Sequence, residues 1–348
     1  FAVISFLYAF VIYSLSVAPT ASFWDPAEYI AISHTLQVAH PPGSPFFALM
    51  GRLFSMFVPT EYVALSVNMI SVTASAFTIM LLYLIVVHLI QEWRGPADEM
   101  DIMDKIGLYG GGLFAALTFT VTHTQWFNAV EAEMYASSMC LTALVVWLAL
   151  RWSAQHDQSY SERWLVLIAY IFGIGIGVHL LNLLALFFVA LIIYFKKFTF
   201  TFKSFAALIG VSIAGFLSIY PLTIILIPNF SGQIGSMTYG LIGPFTFIFL
   251  FGAAVAYGIY YTHKKGRRIL NLILLSYAMI LIGCSSCSLI IIRSQAGPAI
   301  GQNIPSTVES FVSYLSRDQY GTSPLLQGST FDNRIGNIDR ESETLFPR

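Results

Sequence analysis

The run YVALSVNMISVTASAFTIMLLYLIVVHLI, residues 62–90, decides the fold class. It contains no Asp, Glu, Lys or Arg, and it exceeds the roughly 20 apolar residues that a helix needs to cross a bilayer. Similar runs recur on both sides of it. Polar punctuation separates about nine, near 1–18, 62–90, 106–123, 134–152, 164–178, 181–195, 204–227, 238–262 and 268–292. The expected architecture is an all-α polytopic membrane protein with about nine transmembrane helices. Composition agrees. Of 348 residues, 57% are hydrophobic and 10% charged, far from the roughly 25% charged of a soluble domain. A net charge of -1 gives no basis for a nucleic-acid partner. Cys140, Cys284 and Cys287 all lie within apolar runs, so no disulfide framework is implied. Cys284-Ser285-Ser286-Cys287 has the spacing of a redox or metal pair, but inside a membrane helix it reads as packing. The first run, already apolar at Phe1, reads as a span and not as a signal peptide.

Composition divides the chain into a membrane domain, 1–292, and a segment of ordinary soluble character, 293–348. Pro298, Pro305, Gly321, Pro324 and Gly328 punctuate the latter around a short helix near 306–317. It is too small for a core of its own and is expected to pack on the outer face of the membrane domain. The loop between the first two runs should hold an interfacial helix over 26–38, ended by Pro41-Pro42-Gly43, and a second interfacial or re-entrant piece over 44–58. Gly177-Val178-His179-Leu180-Leu181-Asn182 lacks a clear turn, which suggests two half-length helices meeting near a cavity.

Basic residues set the orientation. Lys196, Lys197 and Lys203, then Lys264, Lys265, Arg267 and Arg268, and the pair Arg151 and Arg163 fall on one side of this topology, which should be cytoplasmic. The other face then collects Asp25, Glu28, His40, Glu131, Glu133, His179 and Arg293. These residues are distant in sequence, and a carboxylate at a bilayer edge is costly unless solvated, paired or used.

Within Phe23-Trp24-Asp25-Pro26-Ala27-Glu28-Tyr29, the two acids stand three apart, on one face of a helical turn. Neighbouring carboxylates raise each other's proton affinity, which suits one of them to act as general base toward a hydroxyl. The plainer account makes Asp25 an N-cap ahead of Pro26. His40 can contact phosphate or carboxylate, or simply hold its turn. Glu131 and Glu133, flanked by Trp126 and Tyr135, suit sugar recognition or are solvated loop charges. His179 and Asn182, one turn apart in an apolar run, line a site or bond helix to helix. Arg293 ends the last run, where a guanidinium can fork onto phosphate or snorkel to headgroups. Metal-ligand spacing, a phosphate loop and a dinucleotide fingerprint are all missing. Gly173-Ile174-Gly175-Ile176-Gly177 lies within a span and reads as close helix packing. Asn229-Phe230-Ser231 fits a glycosylation acceptor.

At these residues the chain resembles a known group. Trp24-Asp25-Pro26-Ala27-Glu28-Tyr29, together with Leu36-Gln37-Val38-Ala39-His40-Pro41-Pro42-Gly43-Ser44-Pro45, is similar to the opening signature of the protein O-mannosyltransferase-like membrane family, domain of unknown function 2723. The likeness continues through Trp126 to Tyr135, Gly177 to Asn182, Ile292-Arg293-Ser294 and Tyr314 to Gly321. The resemblance implies a C-type glycosyltransferase fold with an acidic motif in its first outer loop, and a sugar donor carried on polyprenyl phosphate. Carried over residue by residue, Asp25 is the base and Glu28 its partner in positioning the acceptor. Arg293, with His40 or His179, stabilises the departing phosphate. Trp24, Glu131, Glu133 and Asn182 are candidates for sugar or acceptor contact.

The expected reaction is inverting transfer of a mannose-like sugar to an acceptor hydroxyl, that of protein Ser or Thr, on the non-cytoplasmic face of a bacterial inner membrane or the endoplasmic reticulum. Neither cofactor nor metal is expected. The expected partners are the lipid-linked sugar, an acceptor protein or glycan, and membrane lipids. A transporter or lipid flippase with an outward polar pocket is the alternative from another class.

Overall fold

In the computed structural model, which describes residues 1–238, 243–321, 326–331 and 338–345, the apolar runs are helical. α1 (Ala2–Ser16) leads to two short helices, α2 (Pro26–Thr35) and α3 (Pro45–Ser55), and then to the 32-residue α4 (Val63–Arg94). α5 (Ile102–Thr120), the short α6 (His123–Ala129), α7 (Met134–Gln155) and α8 (Arg163–Ile176) follow. A 3-10 turn over Leu180–Leu184 opens α9 (Ala185–Lys197). α10 (Phe202–Leu217) runs through a π-helical stretch, Ser218–Leu226, into α11 (Ile227–Met237). Pro221 lies in that stretch, where its missing N–H disturbs the regular ladder. α12 (Pro244–Lys264), α13 (Arg268–Cys284), α14 (Ser288–Gln295) and α15 (Val308–Ser316) complete the helices. A short antiparallel hairpin, β1 (Gln327–Phe331) with β2 (Ile338–Leu345), departs from the all-α expectation.

Among the described residues, five helical segments are long and apolar enough to cross a membrane: Thr60–Arg94, Met134–Gln155, Leu180–Lys197, Phe202–Met237 and Arg268–Gln295. α1 and α8 are apolar but have 15 and 14 residues, short of a full hydrocarbon thickness. Of the nine expected runs, those near 62–90, 134–152, 181–195, 204–227 and 268–292 correspond to these five segments.

α4 stands centrally, packed against α1, α5 and α7. Small polar side chains along it satisfy loop backbone at one end. Asn68 Nδ2 donates to the carbonyls of Ala18 (2.6 Å) and Thr20 (3.1 Å), and Ser71 Oγ donates to that of Glu133 (3.3 Å). A second apolar cluster joins α7, α8 and α13 through Val145, Leu148, Ile168, Phe172, Ile280 and Cys284. Cys284 and Cys287 are free thiols whose sulfurs are 3.7 Å apart within it, consistent with packing.

α8 and α13 cross with their backbones in contact. A Cβ on Gly173 would lie 2.3 Å from the Ile280 carbonyl oxygen, and one on Gly283 would lie 2.5 Å from that of Tyr170. The glycine run thus serves close helix packing. Gly173→Val must push the helices apart, at a cost of about 1–3 kcal/mol or more. A clear drop in the thermal midpoint of the solubilised protein is expected. Gly110→Ala, with nothing within 4 Å of its new methyl, should show no such drop, and equal midpoints for the two variants would overturn the packing account.

Basic side chains gather at the end away from α2. Glu92, Arg151 and Lys196 each lie within electrostatic reach of His88, and Arg268 pairs with Glu162. At the opposite end, α2 terminates earlier than the proline turn suggests. Leu36 takes a left-handed conformation (φ 50°) and its N–H bonds the carbonyls of Ile32 and Ser33, so residues 36–43 form a separate returning loop. Asn229 and Ser231 lie inside α11, with Ser231 1% exposed, which does not suit the loop acceptor that their motif suggested.

Candidate active site

Pro26 occupies the start of α2 and puts Asp25 at its N-cap position, yet the Asp25 side chain makes no capping hydrogen bond. Its carboxylate is left half exposed and available. One turn later Glu28 faces the returning loop. The main-chain N–H of His40 donates to Glu28 Oε1 at 2.7 Å, and His40 Nδ1 lies 2.7 Å from Oε2. A carboxylate only accepts, so Nδ1 carries the proton. His40 Nε2 then points toward Asp25 Oδ2, 3.8 Å away.

The hydrogen bond to Glu28 raises the proton affinity of His40, against the opposing pull of burial. Burial alone would raise Glu28, but the side-chain bond, charge and main-chain N–H of His40 together hold its carboxyl below the usual value. The two shifts agree on an ion pair. Gln302, from the tail, reaches Glu28 Oε1 at 3.4 Å.

The loop before α7 closes the other side. The Ala18 N–H donates to the Val130 carbonyl (2.8 Å), and Ser22 Oγ donates to Glu131 Oε2 (2.6 Å). Glu133 is 7% exposed, and among the described residues its Oε2 has no hydrogen-bond partner. Burial first, and then the charges of Asp25 and Glu131, push its carboxyl up to about 7, opposed by the Met134 N–H and His40. Asp25, Glu28, His40, Glu131 and Glu133 therefore come together, as the sequence suggested.

The remaining candidates are placed differently. The break between α8 and α9 adjoins the cluster, because Ser44 Oγ donates to the Val178 carbonyl (2.8 Å). His179 caps the 3-10 turn, accepting the Leu181 N–H, and its ring lies 5.2 Å from that of Tyr135. Arg293 Nε donates to the Leu36 carbonyl at 2.5 Å and so ties the tail to the end of α2. Asn182 is fully buried and donates to the Ser138 carbonyl (3.4 Å) and to Thr142 Oγ1 (3.0 Å), the helix-to-helix bond of its plainer reading. Trp24 has a positive φ of 71° and an 87% exposed side chain.

Ser22, Gln302 and Arg317 escape sequence reasoning. Only Arg317 carried a signal, as part of the Tyr314–Gly321 block. Ligand atoms of Asp25, Glu28 and His40 all lie within 4.8 Å of one another and could hold a metal ion, although their spacing along the chain shows no metal-ligand pattern. Two of these three groups already bond each other directly. Beside the cluster, an apolar cavity of about 210 Å³ opens between α3, α4 and α7, lined by Phe46, Phe47, Met50, Phe54, Phe77 and Leu141. Phe47 joins the two, since its ring packs edge-on against Tyr29 at 5.4 Å.

Comparison with known proteins starts at the same carboxylate. A family model described as the protein O-mannosyl-transferase TMEM260 N-terminal domain matches residues 25–201, just over half of the chain. Over 168 residues, 47% of its length, the chain is 26% identical to the protein O-mannosyl-transferase tmem260 of Dictyostelium discoideum. Over 140 residues, 40% of its length, it is 27% identical to the protein O-mannosyl-transferase TMEM260 of Mus musculus. Each match spans 18% of the relative's own length. No solved structure matches the chain significantly. From Asp25 into the loop after α9, the chain belongs to the family of the protein O-mannosyl-transferase TMEM260 N-terminal domain.

Proposed function

We propose that this protein is an integral membrane glycosyltransferase that moves a mannose-like sugar from polyprenyl phosphate to a protein Ser or Thr hydroxyl on the non-cytoplasmic side, with inversion. One observation carries the reading: a free, half-exposed Asp25 carboxylate faces an imidazole that Glu28 holds by two bonds, at the point where the family match begins. Asp25 takes the proton of the acceptor hydroxyl as its oxygen bonds the anomeric carbon. The bond from that carbon to the phosphate oxygen breaks on the opposite face, and the phosphate departs with the electron pair. His40, charged through Glu28, sets a positive charge 3.8 Å from the Asp25 carboxylate. Glu131 and Glu133 accept sugar or acceptor hydroxyls, and His179 and Arg293 border the leaving phosphate. The apolar cavity beside Phe47 suits the first units of a lipid chain.

Full-length protein in nanodiscs, given labelled polyprenyl-phosphate mannose and a Ser/Thr-rich peptide, is expected to yield a new peptide-linked mannoside. The yield should persist in excess EDTA, because the triad handles a proton in this reading and holds no metal. Loss in EDTA with recovery on Mg²⁺ or Mn²⁺ would make Asp25, Glu28 and His40 ligands. Label that crosses the bilayer without forming a glycoside would favour the flippase.

A further inference from the structure

We propose that Arg317, beyond the residues 25–201 that the family model matches, is the group that binds the phosphate of the lipid-linked sugar. This deepens the reading above and rests on it. The argument begins with charge. The site gathers Asp25, Glu28, Glu131 and Glu133, and the charge on His40 is answered by Glu28 at 2.7 Å. An anionic donor approaching that end needs a further cation. Three arginines with described side chains lie there. Arg52 bonds the His34 carbonyl and Arg293 Nε bonds that of Leu36, so both are engaged with the C-terminal end of α2. Arg317 has no described side-chain hydrogen bond or ion pair, its neighbour Asp318 included, although it is exposed.

The tail delivers Arg317 to the site by a series of backbone anchors. The Val38 N–H donates to the Ile300 carbonyl (3.1 Å), and Val38 bridges Gly301. α15 starts in a capping box at Thr307, and its Tyr314 hydroxyl donates to the Ala39 carbonyl at 2.5 Å. That ring fills the space over Gly43, where a Cβ would lie 2.6 Å from the hydroxyl. Three residues on, the Arg317 guanidinium stacks 4.8 Å over the Tyr320 ring, and the Tyr320 hydroxyl reaches the Pro41 carbonyl at 3.5 Å. The anchors at Ala39 and Pro41 bracket His40. The Arg317 charge accordingly reaches both rings: it adds to burial in lowering the proton affinity of His179, and at His40 it weakly opposes the rise that Glu28 produces.

Local conformation points the same way. Arg317 closes α15 in the left-handed region (φ 63°, ψ 31°), where glycine or asparagine is preferred and a long side chain costs conformational energy. Such outliers concentrate at functional sites. The stacked guanidinium is a preoriented planar fork suited to two oxygens of one phosphate.

Arg317→Gly in the full-length protein is the test, because glycine is the favoured residue at that φ and the turn should survive. The KM for polyprenyl-phosphate mannose should rise at least 10-fold, while the KM for the acceptor peptide and the thermal midpoint stay unchanged. Arg317→Lys, which keeps the charge without the fork, should recover part of the loss. Polyprenyl phosphate should inhibit the parent protein far better than it inhibits Arg317→Gly, and inorganic phosphate should show the same preference more weakly. An unchanged donor KM in Arg317→Gly, with the parent active, overturns this assignment and leaves the transferase reading standing. Equal competition by phosphatidylglycerol in the nanodisc also overturns it, as Arg317 would then contact any anionic headgroup. A parent that makes no mannoside sinks the transferase reading instead, and loss of polyprenyl-phosphate binding in Arg317→Gly would still uphold the phosphate contact.

Discussion

Replacing Asp25 by asparagine is expected to lower sugar transfer by about 10²- to 10⁴-fold, the usual contribution of a positioned general base, with donor binding nearly unchanged. The substitution is sharp because asparagine is isosteric and ranks with aspartate at helix N-caps. The Asp25 side chain makes no capping bond in any case. Stability should therefore hold within about 0.5 kcal/mol, the range of an uncoupled surface change, and a scan of the thermal midpoint checks it. His40 loses one charge that favours its protonation, but its main partner Glu28 remains. Turnover of the asparagine variant at the parent rate would refute the base assignment. A parallel collapse of thermal midpoint and turnover would instead give Asp25 a structural role.

The helices were legible because apolar runs in a bilayer have few alternatives, as every backbone polar group must be bonded internally. The interruption of α8 and α9 around His179 could also be read, from a polar pair and a glycine in an apolar run. The end of α2 could not, because it depends on the left-handed Leu36, which no glycine marks. The same turn explains why the Glu28–His40 pair was hidden. The two residues lie 12 apart, matching no helical or strand period, and meet only once the loop returns along α2. Glu131 and Glu133 were visible as acids beside aromatics, but not their burial, which depends on α4 offering Ser71 and Asn68 to the loops. Arg293 has a partner that the sequence did not announce: a lone cation at a span end suggests phosphate, and its Nε also takes the free Leu36 carbonyl at the C-terminal end of α2.

Glu133→Gln is expected to change how the protein responds to pH. Glu133 holds its proton up to about pH 7, compared with an ordinary value of 4.5. Between those values the folded protein binds a proton that the unfolded chain has released, so stability must fall as pH rises through this window and level off above about 7. At about 1.4 kcal/mol per unit, the full loss is on the order of 3 kcal/mol. Glutamine cannot ionise. The variant should lose that slope and be more stable than the parent at pH 8, while the two differ little at pH 5. His40 contributes a slope of the same sign, because its folded proton affinity is also raised and its share fades as pH climbs through that value. His40→Gln is therefore the necessary comparison. Activity should follow the same logic, since ionised Glu133 adds a buried negative charge beside Asp25 and against an incoming phosphate. The rate per unit of donor should decline above pH 7 in the parent and stay flatter in Glu133→Gln. If the decline persists in Glu133→Gln and disappears in His40→Gln, the proton that matters lies on the imidazole.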